Sequence, residues 1–396
     1  MKPPRLLSTL IGALGLLTAA HGAEPDRSLE SRVEQLEREV QQLRDENAAL
    51  RHDAGLPVAK PTVVVLPAGK ETQLEVGGFL QGQAEFGGVP DARWSGVKDR
   101  FFFRRARIYV DGSLGPDFDF KAELDLQGNS LTAGTGLYAR ANEVYIDWRH
   151  FSFLNLRFGQ LKSAYGAESL AADTSLLTIE RSLSSDRLTD SRQMAIAALG
   201  TLPGDHFSYM AVVANGNGSN VSANDNSKWQ RSARLAYALT PSGTDTISLG
   251  VDGLWSTDAG ITKAGFGFTG DKFSGQRAMQ GVDAHWTHGP FDLNGEWLGG
   301  TFEPVDRMPR AKFNAAGWQV GAGLFVVPKV LQALVREESF DPDTSIGGNT
   351  LRTLTLGLNY YILGDDLKFT FNYLHGGIPG APDPVGRLLT RVQIKY

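Results

Sequence analysis

Basic side chains recur at alternate positions of one segment, and they are the groups best suited to bind a charged solute. Arg105 and Arg107 are separated by one residue, and Lys121 follows after a short turn. Neighbouring cations raise the local concentration of anions, and an arginine can hold two phosphate oxygens at once. We therefore expect Arg105, Arg107 and Lys121 to form a basic cluster that attracts anions. Arg104 breaks the alternation, so we expect it to point away from this cluster and to lie above the hydrocarbon zone.

Signatures of enzymes and of metal sites do not occur in the sequence. It has no Gly-x-Ser-x-Gly, no His-Glu-x-x-His and no phosphate-binding loop ending in Gly-Lys-Ser/Thr. The run 265–270 satisfies Gly-x-Gly-x-x-Gly, but it lies in a glycine-rich loop between two strand patterns, which indicates a chance match. Asp283 and His285 share one face, where a solvated pair is expected rather than a catalytic one. We predict no catalytic residue, metal or cofactor.

Composition narrows the class of protein further. The chain has 396 residues, no cysteine and a formal net charge of −5. The absence of cysteine excludes disulfides, thiolate metal sites and cysteine nucleophiles. The acidic balance argues against nucleic acid as a partner.

The basic residues must be positioned by strands, because the pattern from residue 75 onward has period two. In 118–127, apolar residues alternate with Asp, Lys, Glu, Asp and Gln, and in 366–374 Leu, Phe, Phe and Tyr alternate with Lys, Thr and Asn. Side chains alternate across a strand, so each segment has one apolar and one wet face.

Sixteen such segments can be counted, and short and long connections alternate between them. The segments are 75–87, 101–114, 117–127, 140–149, 153–161, 191–201, 205–215, 227–240, 244–256, 276–288, 291–300, 314–325, 328–339, 350–361, 366–375 and 386–396. Seven short turns, eight long loops and an even strand number are typical of a transmembrane barrel. We therefore predict an all-β fold, a sixteen-stranded antiparallel transmembrane β-barrel.

Alternation places charges of both signs on the inner wall. The inward cations outside the basic cluster include Arg149, Arg157, Arg234, Arg277 and Lys368. Charges in a wet pore can line a path for charged solutes. Alternatively, the inward acids pair with them across strands and only stabilise the barrel. Both interpretations remain open at this point.

The N-terminal part of the chain has three predicted segments before the barrel domain of 75–396. Residues 1–23 read as a secretory signal, with a basic start, a short apolar stretch and small residues at its end. Residues 24–53 carry Leu and Val in a heptad spacing, which predicts a periplasmic coiled-coil helix. Residues 54–74 form a proline-rich linker. Valine and asparagine at the a positions favour two strands in the coiled coil.

Three stretches carry a resemblance to a known family. They are FFFRRARIYVDGSLGPDFDFKAELDL at 101–126, ANEVYIDWRHFSFLNLRFGQLKSAYGAESL at 141–170 and LTIERSLSSDRL at 177–188. In these the chain resembles the phosphate- and pyrophosphate-selective porins O and P, over most of 75–396. The resemblance implies a homotrimer whose third loop folds inward and whose constriction binds phosphate. Arg104 and Arg105 match the family's arginine pair, and Lys121 and Lys162 correspond to its constriction lysines.

The predicted function is passive diffusion of small hydrophilic solutes across the bacterial outer membrane, with a preference for anions and with phosphate as a candidate. The alternatives are a general, weakly selective porin and a structural tether that binds peptidoglycan through the coiled coil. The expected partners are further copies of the chain, inorganic anions such as phosphate, and outer-membrane lipid. Short turns and both termini are expected on the periplasmic side.

Overall fold

Sixteen antiparallel strands close into one barrel. In this computed structural model, each strand pairs with its neighbours along the chain, and β1 pairs with β16 to complete the ring. The structure describes residues 72–127, 139–242, 245–381 and 383–396. The predicted signal, the predicted coiled coil and most of the predicted linker lie outside these residues. The predicted all-β barrel of sixteen strands is confirmed.

The strands agree closely with the sequence-based segments. They are β1 Thr72–Gly87, β2 Arg100–Leu114, β3 Phe118–Asp125, β4 Arg140–Phe151, β5 Leu154–Leu161, β6 Gln193–Thr201, β7 Phe207–Ala214, β8 Gln230–Ser242, β9 Asp245–Thr262, β10 Lys272–His288, β11 Phe291–Pro304, β12 Phe313–Val327, β13 Leu331–Asp341, β14 Leu351–Tyr361, β15 Leu367–Gly377 and β16 Val385–Lys395. Two short helices, α1 Ala167–Leu170 and α2 Leu183–Leu188, lie between β5 and β6. Among the described residues, no helix is long and apolar enough to cross a membrane.

Alternation sorts the side chains onto the two faces as the sequence predicts. In β15, Phe369, Phe371 and Tyr373 are exposed on the outside, whereas Lys368 is buried on the inside with Thr370 and Asn372. The outer face of the other strands likewise presents Val, Leu, Ile and Phe. Such an outward apolar band is what a barrel needs in order to sit in lipid.

Several strands continue further than their alternation suggests. β9 extends to Thr262 and β10 begins at Lys272, so the predicted loop 257–275 shortens to 263–271. β11 likewise runs to Pro304, and β1 includes the last three residues of the predicted linker. Backbone pairing continues beyond the segment in which one face must be apolar, so a pattern of hydrophobicity underestimates strand length.

The connections lie at two ends of the barrel because neighbouring strands are antiparallel. The end with the short turns, such as 115–117 and 289–290, is called the turn end below. The other, with longer connections such as 162–192 and 215–229, is called the loop end.

Candidate functional site

The connection between β5 and β6, residues 162–192, folds into the barrel. Near its start, Ser163 Oγ donates to Gln230 of β8 at 3.0 Å, and Tyr165 OH donates to the Gln280 carbonyl of β10 at 3.2 Å. Further along, its backbone reaches strands on the opposite side of the lumen. We call residues 162–192 the inward loop, and the inward fold that the family resemblance implies is present.

Polar side chains of the far wall bind the backbone of the inward loop. The Lys368 ammonium donates to the Thr174 carbonyl at 2.8 Å, and Gln393 Nε2 donates to the same carbonyl at 2.9 Å. The Ile179 N–H donates to Asn372 Oδ1 at 2.7 Å. A loop away from bulk water must find partners for its peptide groups, and these side chains supply them.

Two carboxylates of the inward loop, Asp173 and Glu180, are surrounded by guanidinium groups. Glu180 pairs with Arg104 at 2.9 Å and with Arg391 at 2.6 Å. Asp173 pairs with Arg105 at 3.1 Å, with Arg107 at 2.7 Å and with Arg181 of its own loop. We call these two carboxylates and five arginines the arginine cluster.

All seven side chains of the cluster are largely or fully shielded from solvent. Burial by itself would raise the pKa of Asp173 and Glu180. The surrounding arginines outweigh it and hold the pKa of both well below the usual range. Both carboxylates are therefore charged at neutral pH and offset part of the positive charge around them.

The expectation that Arg104 points away from the lumen is wrong. The register of β1 against β2 shifts, so Gln81 faces Arg105 whereas Gly82 faces Phe103, and Arg104 is the extra residue. Such a bulge turns two consecutive side chains to the same face. Arg104 therefore points inward beside Arg105, and only 6% of its surface is exposed.

Lys121 lies beyond the cluster, toward the turn end. Its ammonium is 3.7 Å from Asp111 and 3.8 Å from Glu123, and it lies 4.8 Å from the centre of the Tyr109 ring. Glu123 also contacts Arg107 at 3.4 Å, which links the lysine to the cluster.

Lys121 lines an open cavity of about 680 Å³ at this end, together with Arg149 and Arg157. Arg149 pairs with Asp119 at 2.7 Å, and Arg157 pairs with Asp147 at 2.6 Å. Lys121, Arg149 and Arg157 are more exposed to solvent than the four arginines of the barrel wall that pair with Asp173 and Glu180.

Lys162 binds backbone rather than an acid. Its ammonium donates to the carbonyls of Ser169 at 2.8 Å and of Leu170 and Ala171 at 3.2 Å each. Burial, reinforced by the positive charges of Arg192 and Arg181, lowers the pKa of Lys162 to about 7. The Lys162 ammonium therefore caps the C-terminal end of α1, and its donors are bound to carbonyls rather than available to a solute.

The remaining predicted pore-lining cations are also paired. Arg234 binds Asp252 at 2.7 Å and Asp283 at 2.6 Å, and Arg277 binds Asp258 at 2.6 Å. Lys368 lies 2.7 Å from Asp365. The cross-strand pairing that the sequence left open is therefore the prevailing arrangement on this wall.

An apolar cluster inside the barrel was not foreseen from the sequence. Phe273, Phe302, Phe313 and Phe340 point inward near the loop end, and Leu183 and Leu188 of α2 pack on them. The glycine-rich loop 263–271 adds Phe266 and Phe268. Its glycines have positive φ and let the phenylalanines between them turn inward. Phe273, Phe302, Phe313 and Phe340 all lie just outside the predicted strand segments, so alternation assigned them no face.

Comparison with known proteins places this geometry among the porins. The sequence model of the family described as "Phosphate-selective porin O and P" matches residues 80–377. No curated protein matches the chain. Among solved structures, OmpF of Salmonella typhi in complex with daunomycin is 11% identical, with 84% of this chain and 100% of that chain covered and a TM-score of 0.57.

Two further porin structures share the fold at similarly low identity. The anion-selective porin from Comamonas acidovorans is 14% identical, with 82% of this chain and 100% of that chain covered and a TM-score of 0.56. OmpT of Vibrio cholerae in its trimer form is 12% identical, with 82% and 99% covered and a TM-score of 0.54.

Proposed function

The chain belongs to the phosphate-selective porin O and P family and is an outer-membrane porin, and we propose that small hydrophilic solutes diffuse through it with weak charge selectivity. The family and the fold indicate a passive channel rather than an enzyme.

The pairing of Asp173 and Glu180 with the arginine cluster supports weak selectivity most directly. Carboxylates that lie 2.6 to 3.1 Å from four of these arginines offset part of their charge, so the cluster attracts a passing anion less strongly than free arginines would. Arg234 and Arg277 also form ion pairs with carboxylates of the barrel wall. On this account the cluster helps Lys368, Gln393 and Asn372 to hold the inward loop, and the loop sets the size of the passage.

A preference for anions, with phosphate as the favoured solute, is the second candidate. It is supported by Lys121, whose nearest carboxylate oxygens are 3.7 and 3.8 Å away, and by the more open Arg149 and Arg157 beside it. The family's description and the anion-selective relative from Comamonas acidovorans point the same way.

One measurement separates the two candidates. Purified protein is inserted into planar bilayers, and the reversal potential is recorded in a potassium chloride gradient. Weak selectivity predicts a reversal potential near zero and chloride current that phosphate does not block.

If instead the current reverses near the chloride potential and phosphate blocks it, weak selectivity is refuted and the anion-preferring candidate holds. The double variant Arg105→Ala with Lys121→Ala should then shift permeability toward cations and weaken the block.

We also propose a homotrimer in the outer membrane, with the short turns and both termini on the periplasmic side. The trimer form of OmpT, which shares this fold, supports the assembly. The predicted coiled coil at 24–53 would add association in the periplasm or bind peptidoglycan as a tether. Sedimentation of the 24–55 peptide, with Leu36→Asp and Leu43→Asp as the disrupting change, tests its association. Pull-down of the same peptide with peptidoglycan tests the tether.

A further inference from the structure

The outer wall of the barrel has a polar depression near the loop end. It is about 490 Å³ in volume, and its lining includes the side chains of Lys228, Trp229, Arg231, Trp255 and Lys312. Trp229 and Trp255 are each more than half exposed. We call this depression the upper pocket.

The cations of the upper pocket differ from those of the lumen. Within the described part of the chain, no carboxylate lies within ion-pair distance of Lys228 or Arg231. Lys312 pairs with Glu303, and both of these side chains remain exposed. Each arginine of the arginine cluster is paired with a carboxylate, whereas Lys228 and Arg231 remain free to bind an anionic group.

A second depression of about 380 Å³ lies directly below and shares Trp255 and Ala278 with the upper pocket. We call it the lower pocket. Small residues form its base, because Ala233 and Gly253 lie opposite each other on β8 and β9. The next row toward the turn end, with Leu235 and Val251, belongs to the exposed apolar band. The two pockets therefore form one groove that is cationic and aromatic above and apolar below.

This order of chemistry matches an anionic lipid. Arg and Lys bind phosphate oxygens, tryptophan lies at the boundary between headgroups and hydrocarbon, and an apolar furrow accepts an acyl chain. An isologous dimer across this groove fits less well, because it would bring Lys228 and Arg231 against the same cations of the partner, and the test below separates lipid from any other contact between copies. We propose that this groove binds a phosphorylated lipid of the surrounding leaflet. Its phosphate contacts Arg231 and Lys228, and one acyl chain lies in the lower pocket.

The test uses the full chain, purified in detergent and titrated with bisphosphorylated lipid A as the probe, with binding read by native mass spectrometry. The double variant Lys228→Gln with Arg231→Gln should weaken binding about 25-fold, because each cation near a membrane surface contributes about fivefold to the affinity. The control is Lys272→Gln with Arg352→Gln, which removes two exposed cations outside the groove and should change the affinity less than about twofold.

A further variant, Ala278→Trp, fills the junction of the two pockets and leaves both cations in place. It should weaken binding of lipid A while the heat-modifiable mobility of the folded barrel stays unchanged. Dephosphorylated lipid A should bind wild type as poorly as lipid A binds the double variant.

Three outcomes would overturn the proposal. Equal losses in the groove and control variants would mean diffuse attraction to charge. Displacement of lipid A by a large excess of inorganic phosphate would mean a site for the free anion. A changed oligomeric state with unchanged lipid binding would mean that the groove is a contact between copies of the chain.

Discussion

Removing the two carboxylates of the arginine cluster should turn the channel into an anion-selective one. The double variant Asp173→Asn with Glu180→Gln keeps side chains of the same size that can still accept hydrogen bonds. The inward loop should stay in place, because Lys368, Gln393 and Asn372 bind its backbone independently of these acids. Five guanidinium groups would then have no counter-charge on the loop.

The size of the effect follows from Coulomb's law. Two lost negative charges about 8 Å from a passing ion change its energy by about 1 kcal/mol in water. Salt at 0.1 M roughly halves that value. The remaining ~0.5 kcal/mol favours anions and disfavours cations, so the permeability ratio should shift about fivefold toward chloride.

The assay is the reversal potential in planar bilayers, with Asp306→Asn and Glu337→Gln as the matched control. Those two carboxylates are exposed, away from the cluster, and their removal changes net charge by the same amount. An unchanged permeability ratio in a folded double variant would mean that the cluster does not face the ion path. An equal shift in the control would mean that net charge, rather than the cluster, sets selectivity.

Three further predictions concern the loop, the apolar cluster and the topology. The pKa of Lys162 is lowered to about 7 when the inward loop is docked, so the undocked state binds more protons between pH 7 and about 10.4. Docking of the inward loop should therefore strengthen as pH rises through this window, and the single-channel current should become less noisy. The variant Lys162→Met should remove this pH dependence. If the noise still falls with pH in the variant, Lys162 is not its cause. Phe302→Ala should destabilise the fold by about 3–5 kcal/mol, because its ring is fully buried among other phenylalanines. The temperature of the heat-modifiable transition should fall accordingly. As a control, Phe101→Ala removes an exposed ring and should leave that temperature unchanged. An epitope inserted in 263–271 should be accessible on intact cells and one at 241–243 should not, and the reverse labelling would invert the orientation.

The sequence alone determined where the central part of each strand lies and which face most of its side chains take. Alternation is a local property, because residues two apart in a strand lie on the same side whatever the partner strand is. Phe369, Phe371 and Lys368 could therefore be assigned to their faces without knowledge of the barrel. The number of strands and the alternation of long with short connections followed from the same pattern.

Tertiary structure decided what the lumen residues contact. Arg104 turns inward because of a bulge that exists only in the register between β1 and β2, so no spacing within β2 could reveal it. Asp173 meets Arg105 and Arg107 only after the loop has crossed a closed barrel. The phenylalanines of β10 to β13 lie just outside the predicted strand segments, and only the fold extends the strands over them and packs α2 and loop 263–271 on them. Ion pairs and apolar contacts between distant segments depend on closure of the ring, whereas the two-residue period does not.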